Sequence, residues 1–585
     1  MIQIGRRDNH YSYIRCIDDL EEFNRLEKTL KKINDKFFDT KYQTWVCDTK
    51  SAERIVEVFS KPNINVDLKL QPYLYQLQCL DACINKNAKL IHLSCGAGKT
   101  PCALMLYKYL RDNNMLSGQG VIVVKATLKS QWLSEVSKFT DYNASMIDTY
   151  KSVTSSIQSK IKSREKKMKS LIKDSAVENK DKIAKLDNEI NELKKDASNG
   201  FVKLFNNDYD LLILNFETLD DPVVKDILKK QKIDFWFIDE IDNIKDPDTK
   251  RSKNLAEFNN AKFKFGATAT PIRKNPVDLY GVFHFLKPDL FPNRNAFELR
   301  YTKKYFGRIV GSQNEDELSN IITPFIFSRT FEEISDQLPQ QVVIQKYCEL
   351  SPAQLRMHKK LMTEVQLFKE EQETMAQRFT QSQLRNNAEY ERLNGNIVAR
   401  QTFAQMLADS EDLLKASESS LSKQYLTGTK SSKVELCVEL VKSIIDSGEK
   451  VCIFSRYIAI QDILEKAFID AGIVKNKQSI ARIDGSVDSE TRQEKLNFYN
   501  TSSECNILLV SDAAESGVNL KSTKYLIEFD LADSAAKQTQ RHGRITRADS
   551  IHRTVVVYQL IAKESFDEIA MMIIEKKAKY AEDIL

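Results

Sequence analysis

The stretch from Ser94 to Thr100 reads Ser-Cys-Gly-Ala-Gly-Lys-Thr and stands between an apolar run, Leu90 to Leu93, and a helical pattern from Pro101 to Arg111. This order spells strand, glycine turn and helix start. Gly96 and Gly98 free the backbone to curl, so that successive N–H groups around Ala97 face one point at a helix N-terminus, a nest that suits phosphate oxygens. Lys99 then reaches the terminal phosphates, and Thr100 ligates a magnesium ion. The strict form of such a loop carries a further glycine where Leu93 stands here. A glycine turn that merely joins a strand to a helix would look the same locally, so the surrounding chain has to decide.

A chain of 585 residues is longer than one core supports, which predicts several domains. Hydrophobic content of 42% with 29% charged residues describes a globular protein, and no apolar stretch approaches the roughly 18 residues of a membrane span. Met1 to His10 lacks the basic-then-apolar layout of a secretory signal, so a cytosolic protein with no membrane partner is expected. The ten cysteines include no Cys-x-x-Cys pair, and Cys79 and Cys83 share a helical face among apolar neighbours, which predicts buried free thiols. The net charge of +5 permits an anionic polymer as partner without demanding one.

Residues 1–66 alternate strand-like pieces, Tyr11 to Cys16 and Tyr42 to Cys47, with amphipathic helices, Leu20 to Ile33 and Ala52 to Phe59. They predict a small α+β accessory module that binds DNA or a protein partner, or only packs. A helix over Leu68 to Asn85 follows and carries Tyr75 and Gln76; the glutamine amide suits the edge of adenine and the aromatic ring can stack on it. The β-branched run Val121 to Val124 predicts a buried strand, and at its carboxyl end Lys125 and Thr127 are placed to touch a phosphate backbone.

Ser152 to Asn199 interrupts this alternation. It is rich in Lys, Glu, Asp and Asn, and Ile183, Leu186, Ile190 and Leu193 follow heptad spacing, so residues 152–200 are expected to form an antiparallel helical hairpin with its turn near Asp174 to Asn179. The hairpin reads either as a solvated coiled-coil arm or as a lever for DNA or a partner. The alternation resumes with strands at Asp210 to Asn215 and Ile233 to Ile238. Asp239 and Glu240 follow directly, one carboxylate to hold magnesium and the next to orient and deprotonate a water. Lys262 to Phe265 leads into Gly266-Ala267-Thr268-Ala269-Thr270-Pro271, where Thr268 and Thr270 could bond both to the acid cluster and to a second lobe.

Leu279 to Phe285 and Phe291 to Tyr305 read as helices, and residues 331–430 as a polar helical linker and protrusion. A second α/β run begins near Ser432, with strands at Val451 to Phe454, Ile480 to Ile483, Ile507 to Val510, Tyr525 to Phe529 and Val555 to Leu560. Near its end comes Gln540-Arg541-His542-Gly543-Arg544-Ile545-Thr546-Arg547. Arg544 and Arg547 stand i, i+3, on one face if helical, and this half has no phosphate loop of its own. They either reach across to the phosphate held at Lys99 or face solvent or DNA.

The order of these stretches resembles that of a superfamily-two helicase-type motor, and within it the Swi/Snf ATPase family. The motifs that carry the resemblance are the Lys99 loop, Asp239-Glu240-Ile241-Asp242-Asn243-Ile244-Lys245, Thr270-Pro271-Ile272 with Asn275-Pro276-Val277-Asp278-Leu279-Tyr280, Phe285-Leu286-Lys287-Pro288-Asp289-Leu290-Phe291, Ser328-Arg329-Thr330, Asp484-Gly485-Ser486, Gly517-Val518-Asn519-Leu520 and the Gln540 to Arg547 run. The resemblance implies two tandem RecA-like lobes, residues 67–330 and 431–585. It implies ATP and Mg2+ held by Tyr75, Gln76, Gly96 to Thr100, Asp239 and Gly517, with Glu240 serving the water and Gln540, Arg544 and Arg547 completing the site from the second lobe. Lys125, Thr127, Ser455, Arg456, Ser511 and Asn519 would hold a strand of DNA, expected to be double-stranded and bound without regard to sequence. The implied function is ATP-driven translocation on duplex DNA; the alternatives are a strand-separating DNA or RNA helicase of the same superfamily and an ATP- and DNA-binding scaffold without motor activity. Residues 1–66, with Phe38-Asp39 and Trp45, resemble the module that precedes the motor in annealing helicases. The family commonly has Ala-His after the paired acids where this chain has Ile241-Asp242, which puts Asp242 at the point that couples hydrolysis to lobe movement.

Overall fold

The computed structural model describes residues 2–6, 11–16, 36–39, 44–94, 96–175, 180–206, 208–258, 260–269, 276–305, 308–334, 338–379, 383–384, 387–512, 518–532, 534–547, 550–572 and 574. Leu90–Leu93, Gln119–Val124, Leu211–Asn215 and Ile233–Asp239 are the apolar runs singled out in the sequence, and they are strands buried almost throughout. Such runs suit the middle of a parallel sheet with helices on both faces.

With three further strands they build one seven-stranded sheet, in the order Ile326–Arg329, Leu90–Leu93, Phe263–Thr268, Ile233–Asp239, Gln119–Val124, Leu211–Asn215, Ala144–Met146. Every neighbouring pair is parallel. All the loops that follow the strands therefore open on the same edge, where ligands of such sheets bind. The helix Lys99–Asp112 contributes Leu104 and Leu106 to the core on one face, and the helix Val277–Leu286 contributes Leu279 and Phe283 to the core on the other.

The second lobe repeats the plan with six parallel strands, in the order Gln340–Cys348, Thr554–Ala562, Tyr525–Glu528, Val451–Ser455, Ile507–Ser511, Ile480–Ile483. The fold is thus two α/β lobes with parallel sheets, as the resemblance implies. Its first strand, Gln340–Cys348, lies in a stretch read as helical linker. Pairing with Thr554–Ala562 along nine residues overrides the local polarity.

The helices Pro352–Arg378, Ala388–Asp409 and Glu411–Ala416 follow. They are more than a protrusion, because Leu361, Phe403, Leu407 and Leu414 form a small core of their own. Their end is fastened to the second lobe by Lys433, which is fully buried and donates to Asp409 and Asp567 at 2.7 Å each. The two carboxylates hold the Lys433 ammonium charged against the cost of burial.

The accessory module is an antiparallel sheet, in the order Ile2–Arg6, Tyr11–Cys16, Thr44–Asp48, Lys36–Asp39, covered by the helix Thr49–Phe59. That helix docks on the first lobe: Arg54 pairs with Glu333 at 2.7 Å and Glu57 with the buried Arg329 at 3.1 Å. Gln78 donates to the Val58 and Ser60 carbonyls at 2.9 and 2.7 Å. The expected helix at Leu20 to Ile33 lies outside the described residues.

The interruption is the expected hairpin, with helices Ser155–Ser175 and Lys180–Lys203; most of its turn lies outside the described residues. Ile161, Leu186 and Ile190 are buried along the seam, and Tyr150 against Phe201 (ring centroids 5.1 Å apart) seats its root in the lobe. Among the described residues no helix is long and apolar enough to cross a membrane.

Other expectations shift. The helix read from Leu68 begins only at Leu74, after Pro72, and Gln76 Oε1 accepts the Tyr73 N–H at 3.0 Å to close its first turn. The helix read over Phe291 to Tyr305 stops at Tyr301, and Thr302–Tyr305 turns back as a strand against Arg308–Ser312. The strand read over Lys262 to Phe265 runs on through Gly266 to Thr268, because Leu90–Leu93 and Ile233–Asp239 flank it.

Candidate active site

Gly96 and Gly98 both take positive φ, 80° and 72°, and Gly98 caps the helix that begins at Lys99. Side chains rarely adopt that region, so the two glycines are what let the loop close on itself. Tyr75 is buried behind it and donates its hydroxyl proton to the Ala97 carbonyl at 2.8 Å. Gln76 is also buried, and its amide nitrogen lies where a side chain on Gly98 would have to stand. Lys99 is folded over the loop, with Nζ 3.3 Å from the Leu93 carbonyl oxygen and 3.5 Å from that of Ser94.

The strand Ile233–Asp239 brings its acids to the same edge. Asp239 Oδ1 accepts the Glu240 N–H at 3.1 Å, and Oδ2 accepts the Trp132 Nε1–H at 3.1 Å. Burial first, then the neighbouring Glu240 charge, push the Asp239 carboxyl up to about 6, while Lys99, Trp132 and Lys125 pull it back down. Glu240 sits at φ 49°, ψ 54°, a left-handed backbone that costs a non-glycine residue about 1 kcal/mol and is kept where a side chain must be aimed. Two residues on, Asp242 is buried and accepts the Thr268 hydroxyl proton at 3.0 Å, so two of the expected coupling residues meet. Thr270 and Gly517 lie outside the described residues.

The second lobe closes the cleft. Gly96, Lys99, Thr100, Asp239 and Glu240 line it from one side, and Arg544 and Arg547 from the other. The condition for the arginines to share a helical face is not met: the helix Ala535–His542 ends before them, and both reach the cleft from the turn that follows. That turn is held by Gln341, whose Nε2 lies 2.9 Å from His542 Nδ1 and whose Oε1 accepts the Thr546 hydroxyl proton at 3.0 Å. Two buried polar atoms at the cleft, Glu240 Oε2 and Arg544 Nε, have no hydrogen-bond partner among the described residues; nor has Gln540 Nε2, on the helix before Arg544 and not among the residues that line the cleft. Native interiors seldom leave such atoms unsatisfied except where a ligand or water completes them. A carboxylate and a guanidinium of this kind, beside the Thr100 hydroxyl and Asp239, fit a magnesium-bound polyphosphate.

The expected strand-binding residues divide. Lys125 lines the nucleotide cleft instead of standing apart from it. Thr127 and Ser511 each hold a buried hydroxyl without a partner among the described residues. Ser455 is buried, with Oγ 3.3 Å from the Tyr457 carbonyl oxygen. Arg456 spends its guanidinium on Gln405 at 2.8 Å and the Leu531 carbonyl at 3.4 Å. Asn519 accepts through its carbonyl from Asn500 at 3.1 Å and lies outside the nucleotide cleft. Trp132 and Gln341 were not picked out in the sequence. A tryptophan opening the helix Lys129–Phe139 at the ligand edge of the sheet was the only signal for the first, and the second had none.

A family model described as an SNF2-related domain matches residues 74–396, more than half of the chain, and one described as a helicase conserved C-terminal domain matches residues 432–549. The chain is similar to an uncharacterized ATP-dependent helicase of Mycoplasma pneumoniae, 25% identical over 61% of this chain and 31% of that protein. It is also similar to the ISWI chromatin-remodeling complex ATPase ISW1 of Saccharomyces cerevisiae, 22% identical over 88% of this chain and 40% of that protein. It thus spans less than half the length of either. Among solved structures it is similar to the Sulfolobus solfataricus SWI2/SNF2 ATPase core in complex with dsDNA, with 21% identity, a TM-score of 0.36, and coverage of 90% of this chain and 95% of that one. From the glycine turn to the arginine segment that faces it, the chain belongs to the SNF2-related family.

Proposed function

We propose that this protein is an ATP-driven motor that moves along duplex DNA, hydrolysing ATP in the cleft between its lobes. The observation that supports this most is the convergence, from two lobes, of Glu240 and Arg544, each with a buried atom that has no partner among the described residues, on the cleft lined by Lys99. The relatives' names, an ATP-dependent helicase and a chromatin-remodeling ATPase, agree with it.

Backbone N–H groups at Gly96 to Gly98 would receive the phosphates at the start of the helix Lys99–Asp112. The contacts of Lys99 to the Leu93 and Ser94 carbonyls are long, and it can exchange them for terminal phosphate oxygens. Thr100 and Asp239 would hold magnesium, which supplies neutralisation of charge on the phosphate oxygens. Glu240 takes the proton of the attacking water, aimed by its left-handed backbone. Arg544 and Arg547 bring positive charge from the other lobe as the transition state develops. The γ-phosphate is then a bridge between lobes, and its loss lets them separate. The Asp242–Thr268 bond links the acids to the neighbouring strand and carries that change into the first lobe.

The choice among duplex translocation, strand separation and static binding is tested by comparing ATPase stimulation by duplex DNA, single-stranded DNA and RNA, followed by displacement of a third strand from duplex DNA. Stimulation by duplex with displacement fits the proposal. Stimulation by a single strand alone favours strand separation, and binding without displacement favours a scaffold.

A further inference from the structure

The strands of the first lobe are parallel, so the root of the hairpin, which follows Ala144–Met146, leaves from the same edge that presents the Lys99 loop and Thr127. Lys129, at the start of the helix after Thr127, ties the two regions together: its Nζ donates to the Ile147 carbonyl at 3.3 Å and to Asp148. Just beyond lies an open groove of about 420 Å3, lined by the hydroxyls of Thr149, Ser152, Ser155 and Ser159, the amide of Gln158 and the amines of Lys151 and Lys162. No carboxylate lines it.

From this groove Ser155, Ser159, Lys162, Lys166 and Lys169 continue up the first hairpin helix at alternating spacings of four and three, hence along one face. The three lysines are exposed. The buried Ile161 and the interhelical pair Arg164–Glu189 at 2.9 Å occupy other faces, while Glu165 borders the stripe between Lys162 and Lys169 and pairs across the hairpin with Lys194 at 3.9 Å. Charge is also unequal between the helices. Ser155–Ser175 carries seven basic and two acidic residues, whereas Lys180–Lys203 carries six and five. A coiled-coil arm kept only soluble by its charges has no need of that bias, and the second helix lacks it.

The geometry points to a second nucleic-acid contact, in which this groove and lysine stripe grip the phosphate backbone of duplex DNA outside the interlobe cleft. The ammonium groups and the hydroxyls beside them suit phosphate oxygens and carry no base-reading pattern, while the Gln158 amide and the Ser159 hydroxyl already donate to Thr154 and Ser155. The stripe from Ser155 to Lys169 is about 20 Å long, roughly six base pairs of duplex. It rests on the duplex DNA of the proposed function, and extends the track beyond the motor so that the hairpin holds while the lobes cycle.

The test uses the full chain with Lys162→Glu, Lys166→Glu and Lys169→Glu combined, and the matching triple Lys→Gln variant to remove charge without reversing it. Binding of labelled duplex DNA is followed by fluorescence anisotropy between about 50 and about 200 mM salt, beside ATP turnover without DNA and thermal melting. Expected is at least a tenfold loss of affinity at low salt and a salt slope shallower by about 2 to 3, since each lost phosphate contact removes about 0.9, with turnover and melting unchanged. Affinity and slope within about twofold of wild type in variants that melt normally would overturn the hairpin contact while leaving the motor reading in place. Wild type that binds duplex through the stripe yet hydrolyses no ATP would do the reverse. Wild type that binds no duplex, whether or not an acidic protein binds the stripe, overturns the hairpin contact directly.

Discussion

Thr546 in the second lobe sets its backbone carbonyl oxygen where any side chain on Gly96 of the first lobe would have to stand. Glycine at this position therefore serves two needs, the positive φ of the loop and the approach of the arginine-bearing turn. Gly96→Ala should cost about 1 kcal/mol of stability from backbone strain. It should also hold the lobes apart, lowering ATP turnover tenfold or more if closure loses about 1.4 kcal/mol. Steady-state hydrolysis and thermal melting, measured together, separate the two effects.

Gln341 grips the arginine segment at both His542 and Thr546 without lining the cleft. Its two hydrogen bonds are worth about 1 kcal/mol each. Gln341→Ala should therefore reduce kcat by about tenfold and leave the KM for ATP near that of wild type. A kcat unchanged by the substitution would show that the turn holds Arg544 and Arg547 without it.

The glycine loop, the paired acids and the arginine run were legible in the sequence because each is a local signal a few residues long, the first two set at the end of an apolar strand. What joins them was not. The Trp132–Asp239 bond spans 107 residues and the Gln341–His542 contact spans 201, and nothing in local chemistry marks such pairs. Local pattern also misled where tertiary pairing decides: Gln340–Cys348 looks like polar linker yet completes a sheet, and Arg544 and Arg547 look helical yet follow a helix that ends at His542. Arg456 shows the same limit for the site. The resemblance implied a DNA contact there, and nothing local in the sequence marks its bond to Gln405 of the helical segment, 51 residues away.

His358 gives the fold a dependence on pH. It is buried, with Nε2 accepting the Phe566 N–H at 3.0 Å, and burial pushes its imidazole down to about 4 from an ordinary value of 6.5. Unfolded chains take up a proton below that ordinary value while the folded protein refuses it, so the stability contributed by neutral His358 is present above it and lost as pH falls toward the folded value. Between about pH 7 and about pH 5.5 the loss should be about 1 kcal/mol. Denaturant unfolding of wild type and His358→Gln at both conditions checks this, with the variant expected to lose less by that amount.

An ATP site built from both lobes needs groups from each of them for turnover. The most direct test is steady-state ATP hydrolysis, with saturating duplex DNA, by wild type, Glu240→Gln and Arg544→Ala, each shown by melting to be folded. Turnover in wild type, with losses of about a hundredfold or more in Glu240→Gln and about a thousandfold in Arg544→Ala, is the expected result. Turnover close to wild type in Arg544→Ala would contradict the dependence of catalysis on Arg544 from the second lobe.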